Sequence, residues 1–593
     1  MKRCCDCLWP AGVINLILSW VFLAVFGVLS ADPADAAEIQ VTIGTEFNVV
    51  GGCSLRGAIF NHNHPGHAGD IRCEPGGSAD TITISTDAHS GDPIRRIILN
   101  QPLPPITGIL TITLDPALKN NCVQVVESAY MTVTKGATVV LDGVGFDANG
   151  SFQRSVIEND GGNLSIFGTH NGPCRFSNEK QGDPVVSGGI LVNRFNGTTH
   201  IAGATFADSA ARPFHGQSSK GGAINLDSGT VTIDDSDSDG FQFGFPNTFS
   251  NDTADEGGAI YVNTGATLNI ASNNFLFTEN RAGDSGGAIY NNGGTVHITR
   301  GGDRPPLKNV SFVHNVVENN DGGAIYSLGG SLTIDGAVFI SNESLRERGG
   351  AIAIAGVIQN PATITRSLFD TNKASIDGGA IYLTNGTVAN FSGDTFAFGF
   401  AGARGGLLYA DDASQLKFVN STFYSGHHNS SDGLFVLDGA AELTFSTIFE
   451  SELGGKQGSI TVSNSILAED SCDAAVVDEG LNLQSESSGC PASIQTMKPK
   501  LDPRTLWDNG GPVPTIALQS GSPAIDVIPL SGCTDQEKNP IQMDERGYIR
   551  PWPMIGGKCD IGAFEFGSMP APGGALSSLP PRVSRRVRRR RRR

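Results

Sequence analysis

Three aspartates, Asp235, Asp237 and Asp239, form the densest group of side chains in this sequence that could do chemistry. They alternate with serines and are followed directly by a glycine. Carboxylates at positions 1, 3 and 5 with glycine at position 6 match the opening of a calcium-binding loop, in which alternate oxygens converge on one hard cation. The spacing predicts a calcium site at these three residues.

The second half of that loop departs from the calcium pattern. Position 12 should supply a bidentate acid and is Pro246 here, so complete ligation would need Asp252, Asp255 or a more distant segment. A polar, solvated insertion without a metal is the alternative explanation. Both explanations stay open at the level of sequence.

Other carboxylates recur with the spacing of a repeat. Asp284, Asp321 and Asp377 each lie one or two residues before a pair of glycines. Two carboxylates can cleave a glycosidic bond as acid and base, but a catalytic pair should interrupt a repeat, whereas these residues follow it. Aspartate is also favoured at turns because its side chain bonds to nearby backbone amides. We therefore predict a protein that is not an enzyme.

The element that positions these acids is a repeated phrase, Gly-Gly-Ala-Ile-Tyr, then Val/Leu-Thr-Ile, then Phe-x-x-Asn. Successive copies are 27 to 36 residues apart, which is the size of one coil of a solenoid. The copies begin at Gly221, Gly257, Gly286, Gly322, Gly349, Gly378 and Gly405.

Each copy contains three short β-prone runs separated by Gly, Asn and Asp, none long enough for an ordinary helix. Such strands become stable when each one stacks on its copy in the next coil at about 4.8 Å. Period-two alternation then places Ile260, Leu268 and Ile270 in core columns. The sequence predicts an all-β, right-handed parallel β-helix of the pectate-lyase-like type, with about nine or ten coils from Val139 to Leu467.

A ladder of asparagine side chains is expected along this helix, because stacked amides can hydrogen-bond along its axis. Each asparagine lies six or seven residues before a glycine pair. The members are Asn251, Asn280, Asn315, Asn342 and Asn372.

The paired phrases Gly-Gly-Ala-Ile and Phe-x-x-Asn resemble the repeats of the chlamydial polymorphic outer-membrane proteins. The resemblance covers about residues 187 to 450. It implies a β-helical passenger displayed on a cell surface. We assign residues 136–470 to the β-helix repeats.

The first 36 residues are predicted to be an export signal. Lys2 and Arg3 precede an uncharged run at 11–30, and the small-residue pattern at 34–36 places the mature start near Ala37. The run is long for a signal core, so an uncleaved membrane anchor is the alternative. We expect a secreted or cell-surface protein whose mature chain does not span the membrane.

Eight cysteines follow the predicted signal, clustered towards the two ends of the chain. An even number in an exported protein predicts disulfides, which would tie down the ends of a solenoid. The expected pairs are neighbours in sequence: Cys53 with Cys73, Cys122 with Cys174, Cys472 with Cys490, and Cys533 with Cys559.

The segment 37–135 is expected to form an N-terminal cap and the first coils. Residues 53–59 read Cys-Ser-Leu-Arg-Gly-Ala-Ile. They resemble the Cys-Ser-Leu-Arg-Glu-Ala module that fronts many exported bacterial β-helix proteins, with Gly57 in place of its glutamate. From the residues alone, we predict short strands with polar turns here.

The segment 471–567 resembles the bacterial choice-of-anchor domain, with the best match at about 500–566. The matching phrases begin at Asn509 (Asn-Gly-Gly-Pro) and end at Glu565 (Cys-Asp-Ile-Gly-Ala-Phe-Glu). The resemblance implies a protein attached at a cell surface. Residues 568–593 are predicted to be a disordered linker that ends in nine arginines between Arg582 and Arg593.

The formal net charge is −19, and the chain before the arginines is more acidic still. Such a body argues against nucleic acid as a partner. The predicted function is that of an adhesin-like, non-enzymatic protein that presents an extended face to a polysaccharide or a partner surface. The alternatives are a polysaccharide lyase or glycoside hydrolase on the same scaffold, and a purely structural spacer. The sequence predicts no oligomeric state.

Overall fold

The structure is a computed structural model that describes residues 37–42, 52–66, 70, 72–85, 96–118, 122–148, 155–178, 188–212, 217–237, 240–301, 309–356, 360–424, 433–469, 472, 476–485 and 490–570. The predicted export signal, Asp239 and the arginine-rich segment lie outside the described residues.

Long parallel sheets make up almost the whole fold. Three of them, named sheets A, B and C here, contain sixteen, sixteen and twelve strands, and a fourth, sheet D, contains six. Every strand in these four sheets pairs in parallel with its equivalents in the adjacent coils, for example Ile260 with Ile289 and Ile289 with Ile325. The predicted parallel β-helix is confirmed.

The strands have the following bounds. Sheet A contains Glu38–Thr42, Ala79–Ser85, Ile109–Leu114, Thr138–Asp142, Asn163–Phe167, Thr198–Ala202, Thr230–Asp234, Thr267–Ala271, Thr295–Thr299, Ser331–Asp335, Ala362–Thr365, Val388–Ser392, Ser414–Val419, Gly439–Thr444, Ser459–Ser463 and Val476–Asp478. Sheet B contains Arg96–Leu99, Val123–Glu127, Val144–Asp147, Cys174–Ser177, Ala204–Ala207, Asn247–Ser250, Phe275–Thr278, Val310–Val313, Ala337–Ile340, Leu368–Asp370, Thr395–Ala397, Thr422–Tyr424, Thr447–Phe449, Ile466–Ala468, Leu483–Gln484 and Gln495–Thr496. Sheet C contains Met131–Val133, Ile157–Asp160, Leu191–Arg194, Ile224–Leu226, Ile260–Val262, Ile289–Asn292, Ile325–Leu328, Ile352–Ala355, Ile381–Leu383, Leu408–Ala410, Leu434–Val436 and Leu453–Gly455. Sheet D contains Thr253–Glu256, Arg281–Ser285, Val316–Val317, Glu343–Ser344, Lys373–Ala374 and Phe400–Ala401.

The β-helix contains more coils than the copies of the Gly-Gly phrase in the sequence indicate. Parallel pairing begins at Glu38 and continues to Thr496, beyond both ends of the nine or ten coils predicted between Val139 and Leu467. It also passes the domain boundary expected at residue 470. The outer coils lack the full Gly-Gly phrase but keep the alternation that pairs their strands, so counting phrases underestimates the number of coils.

The core consists of side-chain columns that run along the axis. Ile260, Leu268 and Ile270 are buried and stack on their equivalents in the next coil, as predicted. The phenylalanines of Phe-x-x-Asn form a second column, in which the rings of Phe312 and Phe339 stack with centroids 4.7 Å apart. Each coil therefore closes the apolar face of its neighbour.

The two glycines of each phrase make the corner between sheets D and C. Gly257 has φ of 66°, a left-handed conformation that favours glycine. A Cβ on Gly258 would lie 2.1 Å from the carbonyl oxygen of Gly287 in the next coil. The pair is therefore required by backbone conformation and by close stacking.

The N-terminal segment differs from the prediction of short strands with polar turns. Residues Leu55–Asn63 form an α-helix that covers the first coils with Leu55, Ala58 and Ile59 buried. Ser54 caps it by accepting a hydrogen bond from the backbone N–H of Gly57 at 3.1 Å. A short 3-10 helix lies at Leu530–Gly532. The helices of the described residues fall short, in length and apolar character, of what a membrane crossing requires.

The described residues contain four disulfides, and these join the neighbours expected from sequence. Two lie near the N-terminal end, Cys53 to Cys73 and Cys122 to Cys174, and two near the C-terminal end, Cys472 to Cys490 and Cys533 to Cys559.

Buried asparagines form the expected ladder inside the corner that follows sheet B. The Nδ2 of Asn280 donates to the Oδ1 of Asn315 at 2.9 Å, and the same bond is repeated from Asn315 to Asn342 and from Asn342 to Asn372. The prediction is wrong at Asn251. That residue has φ of 55° and lies at the exposed turn, so the next residue, Asp252, takes the ladder position and accepts from Ser209.

After the last coil the chain folds back along the outer face of sheet B. Residues 499–570, called the C-terminal unit here, include an antiparallel pair of strands, Leu501–Trp507 and Thr515–Leu518. Glu545 of this unit accepts hydrogen bonds from the hydroxyls of Thr395 and Thr422 on sheet B. The C-terminal unit is thus packed against the flank of the helix and does not extend it.

Candidate ligand-binding face

Sheet C carries a column of aromatic side chains on its outer surface, called the tyrosine column here. It arises because the last residue of Gly-Gly-Ala-Ile-Tyr alternates with the inward isoleucine and therefore points outward. The parallel register aligns these residues in successive coils. The column consists of Tyr261, Tyr290, Tyr326, Ala353, Tyr382, Tyr409 and Phe435.

The rings of the column follow one another along the axis. Tyr261 and Tyr290 are stacked with centroids 5.3 Å apart, and the ring of Tyr326 lies 5.1 Å from that of Tyr290 and is tilted by 48° against it. Ala353 interrupts the stack, which resumes with Tyr382 and Tyr409 at 5.9 Å. The result is two aromatic platforms on one face.

Three rings of the column are covered by cations of the chain itself. The Nζ of Lys220 lies 4.5 Å from the ring centroid of Tyr261. The guanidinium carbon of Arg348 is 5.0 Å from the centroid of Tyr382, and that of Arg404 is 4.8 Å from the centroid of Phe435. These rings are buried, whereas Tyr290 and Tyr326 are only half-buried.

A groove with a volume of about 360 Å³ opens beside the two accessible rings. Sheet D and the turns that follow its strands form the other wall, since the chain turns sharply at each glycine pair and brings the preceding acid next to the tyrosines. The lining residues are Glu256, Asp284, Ser285, Tyr290, Asn320, Asp321, Tyr326 and Glu347. This groove is the candidate functional site.

The carboxylates of the groove are partly withdrawn from water. Burial raises the pKa of Asp321 to about 6, although the backbone N–H of Arg348 donates to its Oδ1 at 3.0 Å. Burial also raises the pKa of Glu256 and of Asp284, and the charge of Asp255 adds to the rise in both. The pKa of Tyr290 is raised for the same reason, so its hydroxyl stays protonated at neutral pH.

The arrangement combines flat π surfaces with oxygen acceptors at one edge. Aromatic rings can stack on the apolar face of a sugar or attract a cation, and the neighbouring carboxylates can accept hydrogen bonds from hydroxyl or ammonium groups. Both kinds of contact depend on Tyr290 and Tyr326 being open.

The predicted calcium residues lie elsewhere, in an insertion after a strand of sheet A. The Asp235 carboxylate is buried and accepts from the Ser272 hydroxyl and, at 2.6 Å, from the backbone N–H of Asn273. The Oδ1 of Asp237 accepts from the backbone N–H of Phe241 at 2.8 Å. No group of three or more His, Cys, Asp or Glu residues in the described ranges could hold a metal ion. Because Asp239 is not described, the calcium site stays a prediction.

Sequence reasoning identified the tyrosines and the acids separately and missed that they meet. It assigned the acids to corners, which is correct: Asp377, like Asp321, accepts a backbone N–H from the corner of the next coil. The available signal was the constant spacing of five residues from Glu256 to Tyr261, Asp321 to Tyr326 and Asp377 to Tyr382. Because the acid and the tyrosine are always five residues apart with the glycine corner between them, their side chains lie on the two faces that meet at that corner.

Comparison with known proteins gives one match. A model of the Chlamydia polymorphic membrane protein repeat matches residues 274–292, which include Tyr290 and the Gly-Gly corner before it. The resemblance of the repeats is thereby supported over one coil. No curated protein and no solved structure matches this chain.

Proposed function

We propose that this chain is an exported, adhesin-like β-helix protein of the cell surface or the secreted fraction, which binds polysaccharide along the tyrosine column without cleaving it. The observation that carries the proposal is the pair of adjacent, half-buried rings, Tyr290 and Tyr326, beside a polar groove. A surface location is supported by the match to the Chlamydia polymorphic membrane protein repeat. The resemblances of the two chain ends to exported and anchored bacterial proteins agree with it.

A repeated face suits a repeated ligand. Each coil adds one layer at about 4.8 Å, so a polymer lying along the axis can contact several coils through individually weak bonds. Asp321 of the groove and its equivalent Asp377 each accept a hydrogen bond from a backbone N–H of the next coil, which gives these two acids a structural role and supports binding over hydrolysis. A catalytic pair would need carboxylates free of such duties.

The test is binding of the full chain to a panel of immobilised polysaccharides, compared with Tyr290→Leu and Tyr326→Leu. We expect each variant to bind a recognised polysaccharide about tenfold more weakly, because leucine keeps the apolar volume and removes the ring face. His297→Ala is the matched control, since His297 lies on sheet A in the same coil as Tyr290.

The same incubations test the alternatives. Release of oligosaccharides would contradict a non-enzymatic role and favour the lyase or hydrolase. Absence of binding to every polysaccharide, both by the full chain and by the full chain with the nine arginines of 582–593 replaced by glutamine, would contradict the proposed binding face, as would equal weakening by His297→Ala. A parallel series with chelator reports on the calcium predicted at Asp235, Asp237 and Asp239.

A further inference from the structure

The cations that cover the tyrosine column follow a positional rule. Lys220, Arg348 and Arg404 each occupy the residue directly before a glycine pair, and each lies over the ring of the following coil. The corner position of one coil therefore faces the outward ring of the next. The molecule itself shows which chemical group fits there, namely an ammonium or a guanidinium over an aromatic face.

Among the described residues, that rule is not satisfied at the two accessible rings of the groove, nor at the buried ring of Tyr409, whose preceding corner residue is Asp377. The corner residues that precede the coils of Tyr290 and Tyr326 are Glu256 and Ser285. Among the described residues, none places a cation over either ring. Four carboxylates line the groove instead, those of Glu256, Asp284, Asp321 and Glu347.

We propose that this groove binds guanidinium groups of the chain's own arginine-rich segment, Arg582 to Arg593. The inference rests on the proposed function, because it assigns a regulatory occupant to the same face, one that competes with an external ligand for Tyr290 and Tyr326. Guanidinium groups complement both features of the groove, since they pair with carboxylates and stack on aromatic rings.

The arginine-rich segment starts close enough to reach the groove. Val513 of the C-terminal unit packs on Val338, which belongs to the coil of Tyr326. Pro570, the last described residue, pairs with Tyr548, and Tyr548 lies against Gly510. Eleven residues separate Pro570 from Arg582, and they span up to roughly 37 Å when extended. The described chain therefore ends in the unit that packs on the coil of Tyr326, and the eleven intervening residues are long enough for the arginines to pass around the helix to the groove.

The test uses the full chain with all nine arginines of 582–593 replaced by glutamine, which leaves the groove free. A synthetic peptide with the native sequence of residues 582–593 is titrated into this variant and into the unchanged full chain by calorimetry at low ionic strength. We expect tight binding to the glutamine variant and at least tenfold weaker binding to the unchanged chain, whose groove is already occupied.

Specificity is tested in the glutamine background. Adding Glu256→Gln and Asp321→Asn should weaken peptide binding at least tenfold, whereas Glu479→Gln and Asp526→Asn, which remove the same charge from exposed sites elsewhere, should change it less than twofold. Equal weakening by both pairs would mean general attraction to an acidic protein and would overturn the inference. Failure of the peptide to bind the glutamine variant would overturn it as well.

The outcome is distinguishable from failure of the proposed function. Polysaccharide binding is measured on the same preparations with Tyr290→Leu. If Tyr290-dependent polysaccharide binding persists while the peptide does not bind, the arginine contact is wrong and the binding face stands. Tyr290→Leu in the glutamine background should also weaken peptide binding, which separates a groove contact from binding at the acids alone.

Discussion

At the scale of single residues, Asp321 combines a structural bond with an unfavourable charge. Its Oδ1 holds the corner of the next coil through the backbone N–H of Arg348, and burial raises its pKa to about 6 from an ordinary 3.8. The folded protein therefore holds this proton up to a higher pH than the unfolded chain does. Its contribution to stability is greatest below about pH 4 and falls as the pH rises to about 6.

Asp321→Asn should therefore stabilise the protein at neutral pH. The amide oxygen can still accept the bond from Arg348 without carrying a charge. We expect the free energy of unfolding to rise by about 1 to 3 kcal/mol at pH 7.5, and the gain to vanish near pH 3.5. Urea unfolding at both pH values measures it. Asp227→Asn at an exposed site is the control, and a gain that persists undiminished at pH 3.5 would contradict the explanation.

Residue types alone predicted part of this site. The inward position of Ile260 followed from alternation, and the turn role of Asp321 and Asp377 followed from their place before glycine. The pairing of each ring with the corner of the preceding coil depends on how coils stack in three dimensions. Lys220 and Tyr261 are 41 residues apart in sequence, and no local pattern links them.

At the scale of elements, the asparagine ladder is a continuous chain of buried polar bonds. Asn315 accepts at Oδ1 from both the backbone N–H and the Nδ2 of Asn280, and its own Nδ2 donates to Phe277 and Asn342. Each rung thus satisfies groups in the coils on both sides. Removing one of these asparagines therefore leaves the buried polar groups that it bonds to without a hydrogen-bond partner.

Asn315→Ala should accordingly destabilise the helix by about 2 to 4 kcal/mol, because a buried donor or acceptor left without a partner costs about 1 to 3 kcal/mol. The shift in the urea midpoint measures the loss. Asn319→Ala, four residues away and exposed, removes a surface amide of the same kind and should cost less than about 1 kcal/mol. Equal effects of the two variants would contradict a special role for the ladder.

The asparagine ladder was predictable because its phrase repeats from coil to coil. The prediction failed where a coil departs from that phrase. Four of the five expected rungs are correct because Phe-x-x-Asn fixes their register. Asn251 is only two residues after Phe249, and the third residue is Asp252, so the register of the phrase itself assigns the rung to Asp252. The helix Leu55–Asn63 was missed because nine residues with an internal Gly57 give too little periodicity. A Cβ on Gly57 would lie 2.5 Å from the Asp70 carboxylate, so a larger residue there would displace that side chain.

At the scale of the whole molecule, buried charges join the C-terminal unit to the helix. Arg550 has no exposed side chain, and it donates to Glu565 at 2.9 Å, to the carbonyl of Gly562 at 2.8 Å and, across the interface, to Asn420 at 2.9 Å. The hydroxyl of Thr447 accepts from the backbone of Ala563 beside it. This network fixes the unit on sheet B.

Arg550→Met should weaken that attachment strongly, because it leaves the Glu565 carboxylate buried without its cation. We expect a loss of about 3 to 5 kcal/mol, visible as faster hydrogen exchange and proteolysis throughout residues 499–570. Arg504→Met is the control, since Arg504 pairs with Asp502 at an exposed site worth at most about 1 kcal/mol. Unchanged exchange in 499–570 would show that the network does not hold the unit.

The position of this unit was not predictable from sequence. Its phrases indicated a separate domain after the repeats, and the disulfide between Cys533 and Cys559 was foreseen. Its attachment depends on single contacts such as Asn420 with Arg550, 130 residues apart, which follow no period.

The identity of the residue directly before each glycine pair has one further consequence. Its side chain lies outside the packed interior, and the chain tolerates lysine, glutamate, serine, aspartate and arginine there without altering the corner itself. A single exchange such as Glu256→Lys would close the platform at Tyr290, and the reverse exchange at Arg348 would open another at Tyr382. The specificity of this surface can therefore evolve one layer at a time, while the architecture beneath it stays the same.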